Sequence, residues 1–362
     1  MPILAGQATY RILDASINRA TEGLRTLEEY ARFALDDAAI SGSFKSLRHD
    51  LTTTVDQNID RQRLIEARDT PGDVGTEIRE SAEYERSSPQ KVIAAAAARI
   101  AQSLRVIEEY GKTIDANFAA NVEQIRYRAY QACSSLELLA FTNQRTAQLA
   151  AAKLYLLIDG GESEPQFVAS IQRLAEAGVD VFQLRDHSLD DRTLYHRACV
   201  GAAVARKHGR LFIVNDRADI AVASNADGVH VGQEELPAAA ARAIIGDRRL
   251  LGISTHSIDQ AKEAVDDGAD YIGCGPIFAG RTKQFDAYVG PAFLEQVTQS
   301  ISVPAFAIGG IDQSNVSEVM ATGCDRIAVT GAIRDAEDPV QAAKTLKQTL
   351  LSGNKKLSGN KE

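Results

Sequence analysis

Only four cysteines occur in the 362 residues, Cys133, Cys199, Cys274 and Cys324, and no two of them form a CxxC pair. That scarcity excludes a disulfide framework and predicts reduced, mostly packed thiols. Neither HExxH nor a His–Cys ligand spacing is present, which removes the usual zinc sites. No stretch approaches the ~18 consecutive apolar residues of a membrane span. The first residues, MPILAGQATYRILDAS, lack a basic segment followed by an apolar core. Positive charge is not in excess either. A net charge of −9 gives no electrostatic reason to expect nucleic acid or an anionic membrane as a partner, although a local basic pocket could still hold phosphates. Together these absences predict a cytoplasmic protein.

What is present divides in two. A chain of this length predicts two domains, each with a sizeable core. From about Arg11 to Leu139 the periodicity is helical, and two segments resemble each other: Arg19–Tyr30, RATEGLRTLEEY, and Arg99–Tyr110, RIAQSLRVIEEY. Leu24, Leu27, Tyr30 and Ala31 fall at helical spacing, as do Leu104, Ile107 and Tyr110. Each copy precedes a second amphipathic stretch, Phe44 to Val55 and Asn121 to Leu138. A duplicated helical hairpin is the simplest reading. Arg25 and Arg105 lie three and four residues before paired glutamates, so they either form ion pairs on a helix face or line a pocket shared by the copies. Between the copies, RDTPGDVGT (Arg68–Thr76) is too rich in Gly, Pro and Asp to continue a helix. It is a surface turn or a phosphate-contacting loop, but not a P-loop.

After a polar, Ala-rich join at Thr142 to Ala152 the pattern changes. Short apolar runs at 154–158, 181–184, 211–214, 228–231, 250–253, 271–274, 304–308 and 326–329 alternate with helical stretches. Eight such units predict a (β/α)8 TIM barrel. A doubly wound sheet is the competing fold, and the lack of GxGxxG after the first run speaks against it. The expected organisation is an all-α domain with an internal duplication over 1–145, the barrel over 151–350 and a disordered polar tail, LSGNKKLSGNKE, over 351–362.

In a barrel all eight strand ends meet at one mouth, where active sites sit. The residues that follow the runs are Arg185, Asn215 and Asp216, Glu235, Ser254, Thr282 and Lys283, Gly309 and Gly310, and Thr330 and Gly331. Arg185 and Lys283 suit phosphate oxygens. Asp216 and Glu235 offer hard oxygen ligands for Mg²⁺, which keeps waters and binds substrate phosphates besides one or two carboxylates. The glycine-bearing pairs at 309–310 and 330–331 expose N–H groups where many barrels bind phosphate. Each has a plainer use: Asp216 as a helix cap, Glu235 as a surface charge, Arg185 paired with Asp186, the glycines in tight turns. His196 and His208 read as helix-surface residues, and His230 as a hydrogen-bonded residue within a strand. The joint occurrence at six or seven strand ends weighs against all the plain readings at once.

The motifs QLRDHSL from Gln183, IVNDRADIA from Ile213, GVHVGQEEL from Gly228, GISTHS from Gly252, IGCGPIFAGRTK from Ile272 and AIGGI from Ala307 stand in the order of the thiamine-phosphate synthase family, which Leu154 to about Pro339 resembles. The resemblance implies a transferase that joins a pyrimidine methyl diphosphate to a thiazole phosphate and releases pyrophosphate. It implies that Gln183, Leu184, Arg185, Asp186, His187 and Asn215 face the pyrimidine diphosphate, and that Asp216 and Glu235 bind Mg²⁺. Ser254 and Lys283 would contact the diphosphate, while Thr282, Gly310, Thr330 and Gly331 would hold the thiazole phosphate. Gly280 and Arg281 join the substrate-binding set, and Arg185, Asn215, Ser254 and Lys283 are the expected catalytic group. Three positions depart from the family pattern: His187 replaces Lys, Glu235 replaces Asp, and Gly280 replaces a common Thr. Only the first removes a fixed charge.

The helical half, through RILDASINRATEGLRTLEEYARF, LRHDL, RDTPGDVGT and SLRVIEEY, resembles a module found fused ahead of this synthase or alone and associated with phosphorylating hydroxymethylpyrimidine phosphate. That implies ATP and Mg²⁺, with Arg25, Arg48, Asp73, Arg105 and Arg126 as candidate site residues. The competing expectations are a thiazole tautomerase-like barrel and a non-catalytic helical module that makes a homo-oligomer.

Overall fold

Runs of apolar residues buried on both faces form parallel strands, and those strands close here into a barrel. The computed structural model describes residues 5–73, 86, 88–279 and 288–358. The chain divides into two compact units, Met1–Phe141 and Thr142–Glu362.

In the first unit, α1 (Ala5–Phe33), α2 (Ala38–Asn58), α3 (Arg61–Ala67) and α4 (Pro89–Gly111) precede α5 (Ala116–Ala151), whose last residues belong to the second unit. The division therefore falls inside a helix and not in a loop. Asp37, Asp60 and Ser88 cap α2, α3 and α4 by accepting from Ile40, Gln62 and Lys91 N–H. Leu24, Leu27, Ile100, Leu104 and Ile107 are fully buried, so both copies of the repeat turn their apolar faces into one core. Gly23 lets α1 and α4 approach closely, since a Cβ there would lie 2.7 Å from Ile100 Cγ1.

The arginine-glutamate pairs resolve into two similar clamps. Glu28 Oε1 accepts from Arg25 at 3.3 Å and its Oε2 from Arg48 Nε at 3.0 Å. Glu108 Oε1 accepts from Arg105 at 2.8 Å and its Oε2 from Arg126 Nε at 2.6 Å. Glu28 and Glu108 are buried, whereas Glu29 and Glu109 form exposed pairs with Arg25 and Arg105. Each buried carboxylate thus ties its own helix to the next one. Asp14 receives a bidentate bond from Arg68 at 2.8 and 2.7 Å, which anchors the start of the Gly-, Pro- and Asp-rich connection to α1. The connection is non-helical from Arg68 to Asp73; Gly75 and Thr76 lie outside the described residues.

The second unit contains β1 (Leu154–Ile158), β2 (Val181–Leu184), β3 (Leu211–Asn215), β4 (Gly228–Val231), β5 (Leu250–Thr255), β6 (Tyr271–Cys274), β7 (Ala305–Ile308) and β8 (Ile327–Val329). They pair in parallel in chain order and β8 closes on β1. The interleaved helices are α6 (Glu164–Glu176), α7 (Asp191–Lys207), α8 (Ala218–Ala223), α9 (Ala238–Ile245), α10 (Ile258–Asp266), α11 (Gly290–Ser300), α12 (Val316–Ala321), α13 (Gly331–Arg334) and α14 (Pro339–Ser358). Strand residues alternate between two cores. Phe182, Val214, Val229 and Ile272 pack against the helices, while Tyr155, Ile213, Tyr271 and Phe306 fill the barrel.

Several boundaries differ from the apolar runs. β3 and β5 extend through Asn215 and Thr255 because the backbone ladder continues past the last apolar residue. β7 begins after Pro304, which has no N–H to give. Of the tail expected to be disordered over 351–362, residues 351–358 continue α14, because propagation from a turn already packed through Leu346 and Leu350 costs little per residue, and residues 359–362 lie outside the described residues.

At the N-terminal ends of the strands, aspartates placed just before even-numbered strands bind the start of the preceding strand. Asp180 accepts from Leu154 N at 3.0 Å, Asp227 from Phe212 N at 3.0 Å and Asp270 from Leu251 N at 2.7 Å. Asp227 is buried and also bonds Arg145 Nε at 2.8 Å. We expect Asp227→Ala to cost about 2 kcal/mol, since it removes the partner of a half-buried guanidinium and strands the Phe212 backbone donor. Denaturant unfolding should show that loss with substrate KM values unchanged, because the catalytic end of the strands is the opposite one.

Candidate active site

The inward residues at the carboxyl ends of the strands surround a cavity of about 930 Å³. Among the expected site residues, Gln183, Arg185, Asn215, Asp216, Glu235, Ser254, Gly310, Thr330 and Gly331 line it. Period-2 alternation explains which others do not. Leu184, between inward Gln183 and Arg185, is buried against the helix layer. Asp186 accepts from Gly160 N at 3.0 Å and from Ser188 N and Oγ at 2.9 and 2.6 Å, so it shapes the loop after β2 and does not pair with Arg185. Arg185 makes no ion pair among the described residues. His187 is exposed beside that loop and does not line the cavity. Gly280, Arg281, Thr282 and Lys283 lie outside the described residues.

Asp216 carries the distinctive backbone of the site. Its φ of 61° is left-handed, a region that non-glycine residues rarely occupy. Asp216 N donates to His230 O at 2.8 Å, and Asn215 Nδ2 donates to Asp216 Oδ2 at 2.5 Å. The Asp216 carboxylate makes no cap on α8, whose N-cap residue is Arg217. Burial pushes the Asp216 carboxyl above its ordinary value and the Glu235 charge adds to this, against the opposing charges of His187 and Arg185. A Glu235 charge close enough to disfavour ionisation of Asp216 suits a cation between the two carboxylates. Among the described residues no group of three or more His, Cys, Asp or Glu could hold a metal. A divalent ion here would take two protein oxygens and complete its shell from water and ligand, as Mg²⁺ does.

The opposite wall is built from backbone. Gly309 and Gly310 have φ of 98° and 61°, and a Cβ on Gly310 would lie 2.5 Å from Ala279 O. Asn315 Nδ2 holds Gly310 O at 2.8 Å, fixing the turn. Thr330 and Gly331 stand beside it.

The cavity floor was not legible as a site in the sequence. Tyr155, Tyr271, His230 and Phe306 meet there; the Tyr155 and Tyr271 hydroxyls are 2.9 Å apart, and Phe306 packs edge-on against both rings. Burial raises both phenols, which stay protonated. Burial, then the Arg185 charge, pushes His230 down to about 4, so its imidazole is neutral. Its hydrogen-bonded strand position agrees with the sequence reading. The available signal was alternation, which turns Tyr155, Tyr271 and Phe306 inward.

A family model described as thiamine monophosphate synthase matches residues 154–333, and one described as the ThiD2 family matches residues 11–135. A thiamine-phosphate synthase of Rhodopirellula baltica is 51% identical over 346 residues, covering 94% of this chain and 92% of that one. The chain belongs to the thiamine-phosphate synthase family. A thiamine-phosphate synthase of Gloeobacter violaceus is 43% identical over 339 residues, 94% of this chain and 96% of that one. Among solved structures, a thiamine phosphate pyrophosphorylase from Pyrococcus furiosus is 32% identical with a TM-score of 0.50, covering 58% of this chain and 98% of its own. Both curated thiamine-phosphate synthases align with the helical unit as well as the barrel, and neither bears a tautomerase name, so the tautomerase-like reading is not favoured. The ThiD2 match likewise supports a kinase-like module over a purely structural one. No helix of the described residues is long and apolar enough to cross a membrane.

Proposed function

We propose that the barrel joins 4-amino-2-methyl-5-(diphosphooxymethyl)pyrimidine to a thiazole phosphate, giving thiamine phosphate and pyrophosphate. The observation that carries this reading is the convergence of Arg185, Asn215, Asp216, Glu235 and Ser254 on one wall of a cavity whose other wall is the Gly309–Gly310 turn with Thr330 and Gly331. One wall suits a diphosphate with a cation, and the other a single phosphate.

The aminopyrimidine pushes electron density into its exocyclic CH₂ as the C–O bond breaks, and the bonding pair leaves with pyrophosphate. The thiazole nitrogen then gives its lone pair to the resulting carbocation. No side chain has to carry a proton in either step. Arg185, unpaired among the described residues, neutralises the departing pyrophosphate, joined by Lys283 on the family pattern. Asn215 and Gln183 orient the pyrimidine, and Ser254 contacts the diphosphate. Gly310, Thr330 and Gly331 hold the thiazole phosphate with its nitrogen toward the reacting carbon, and the aromatic floor keeps water from the cation. Mg²⁺, held by Asp216 and Glu235, would supply further positive charge to the leaving group.

For the helical unit we propose an ATP- and Mg²⁺-dependent kinase that makes the diphosphate from hydroxymethylpyrimidine phosphate. Arg25, Arg48, Arg105 and Arg126 are engaged with Glu28 and Glu108, so their first role is to hold helices together, and Asp73 remains with the connection that Arg68 anchors. Free thiols and phosphorylated small-molecule substrates support a cytoplasmic location.

The test uses two tubes of the purified full chain with thiazole phosphate and Mg²⁺. One adds hydroxymethylpyrimidine phosphate and ATP, and the other the preformed diphosphate without ATP. Thiamine phosphate in both is the expected result. Product in the second tube alone would remove the kinase assignment, and product in neither would remove the synthase assignment.

A further inference from the structure

His256 stands on the cavity wall two residues beyond Ser254, one place past the end of β5. The pairing of β5 with β6 continues beyond the strand end, with Gly275 N donating to Thr255 O at 3.1 Å. Alternation therefore keeps residues 254 and 256 on the same inward side. Two steps along an extended chain put His256 about 7 Å nearer the mouth than Ser254. Its backbone N–H donates to Gln260 Oε1 at 2.7 Å, which ties it to α10.

One contact of the ring fixes one of its protons. His256 Nδ1 bonds the backbone oxygen of Gly275. A carbonyl oxygen only accepts, so Nδ1 carries a hydrogen. Nε2 has no partner among the described residues, and it is the nitrogen left for a ligand. In the neutral ring that nitrogen is a bare lone pair; in the imidazolium it is a cationic N–H donor. The charged groups on the neighbouring segments are Glu234 and Glu235 after β4, and Asp259, Lys262 and Glu263 in the first turns of α10; Gly275 to Ala279 after β6 carry none. None of these carboxylates forms an ion pair with the ring.

We infer that His256 binds the terminal phosphoryl group of the pyrimidine diphosphate through Nε2, and that it does so as the imidazolium. Phosphate oxygens are acceptors, and a lone pair facing them repels. Only the doubly protonated ring gives one N–H to Gly275 and the other, charge-assisted, to the ligand. Ser254 meets the diphosphate deeper in the cavity, and two phosphoryl groups running outward from it reach the level of His256. The thiazole phosphate is assigned to the opposite wall, so its binding does not depend on this residue. This inference rests on the proposed diphosphate subsite.

The full chain is assayed with the preformed diphosphate, thiazole phosphate and Mg²⁺, with inorganic pyrophosphate as the competing product. His256→Asn leaves an amide N–H where Nδ1 was and removes Nε2, whereas His256→Gln places an amide N–H near Nε2 and gains no charge. The residue is exposed, so neither change disturbs a core. At about pH 6.5 the Asn variant is expected to raise the diphosphate KM and the pyrophosphate inhibition constant about tenfold, with the thiazole phosphate KM within about twofold. At about pH 8.5 the ratio of variant to wild-type inhibition constants should shrink at least about threefold, because the imidazolium is lost as pH rises. Ionisation of pyrophosphate itself is common to both proteins and leaves that ratio unchanged. The Gln variant should recover part of the lost affinity. An Asn variant within about twofold of wild type, a ratio that does not change with pH, a Gln variant no better than Asn, or an equal rise in the thiazole phosphate KM overturns the inference. Failure of wild type to form product from the diphosphate would instead overturn the proposed function.

Discussion

Replacing Asp216 by asparagine is expected to lower the rate of thiamine phosphate formation at least a hundredfold while leaving thiazole phosphate affinity within about twofold, the scale seen when one electrostatic group is withdrawn from a transition state. Asparagine is the informative substitution because position 216 is left-handed at φ 61°. Asn tolerates that backbone, whereas alanine adds roughly 1–2 kcal/mol of strain and blurs the reading. Asn also keeps an oxygen for the Asn215 bond, so what changes is the charge facing Glu235. Asp216→Ala should lose turnover at least as completely. Turnover from the preformed diphosphate and calorimetric binding of thiazole phosphate together check this, and an Asn variant within fivefold of wild type would remove the metal assignment for Asp216.

The second large effect is on stability. Glu108→Gln is expected to destabilise the helical unit by about 3 kcal/mol, because it leaves buried Arg126 with only the more exposed Glu123, at 3.8 Å, as countercharge. Stacking of Arg126 on Tyr127 and Tyr130, with its guanidinium 4.5 and 5.3 Å from their ring centres, does not replace a carboxylate. The matching change at Glu28 should cost less, since Arg48 reaches more solvent than Arg126.

Glu108 also predicts a pH dependence. Burial opposes its ionisation, but Arg126, Arg105 and Lys112 outweigh burial and hold the carboxyl below its ordinary value. A depressed folded-state value means that the unfolded chain binds the proton more readily. The contribution is therefore complete above the unfolded value of about 4.5 and is lost as pH falls through the folded one. The helical unit's calorimetric transition should drop below about pH 4.5 in wild type, and less steeply in Glu108→Gln. An unchanged acid slope would assign the sensitivity to other carboxylates.

Much was legible in the chain itself. Repetition of short apolar runs and helical stretches determined the barrel, because a strand buried on both faces has to be apolar at nearly every position. Polar residues immediately after those runs determined the cavity wall, since parallel closure leaves the strand ends nowhere else to go. The duplicated LRxxEEY pattern likewise determined that α1 and α4 are equivalent.

What only the tertiary structure decided depends on the direction a side chain faces and on which distant atom it meets. Leu184 and Asp186 sit within a motif of the cavity wall yet turn away from it, because neighbouring residues on a strand face opposite sides. Arg25 and Arg105 carry the same local pattern as ordinary surface pairs, but Arg48 and Arg126 arrive from the next helix and turn Glu28 and Glu108 into buried clamps. The floor residues Tyr155, Tyr271, His230 and Phe306 come from four different strands. Sequence spacing carries no record of their meeting, because it is set by closure of the barrel and not by proximity along the chain.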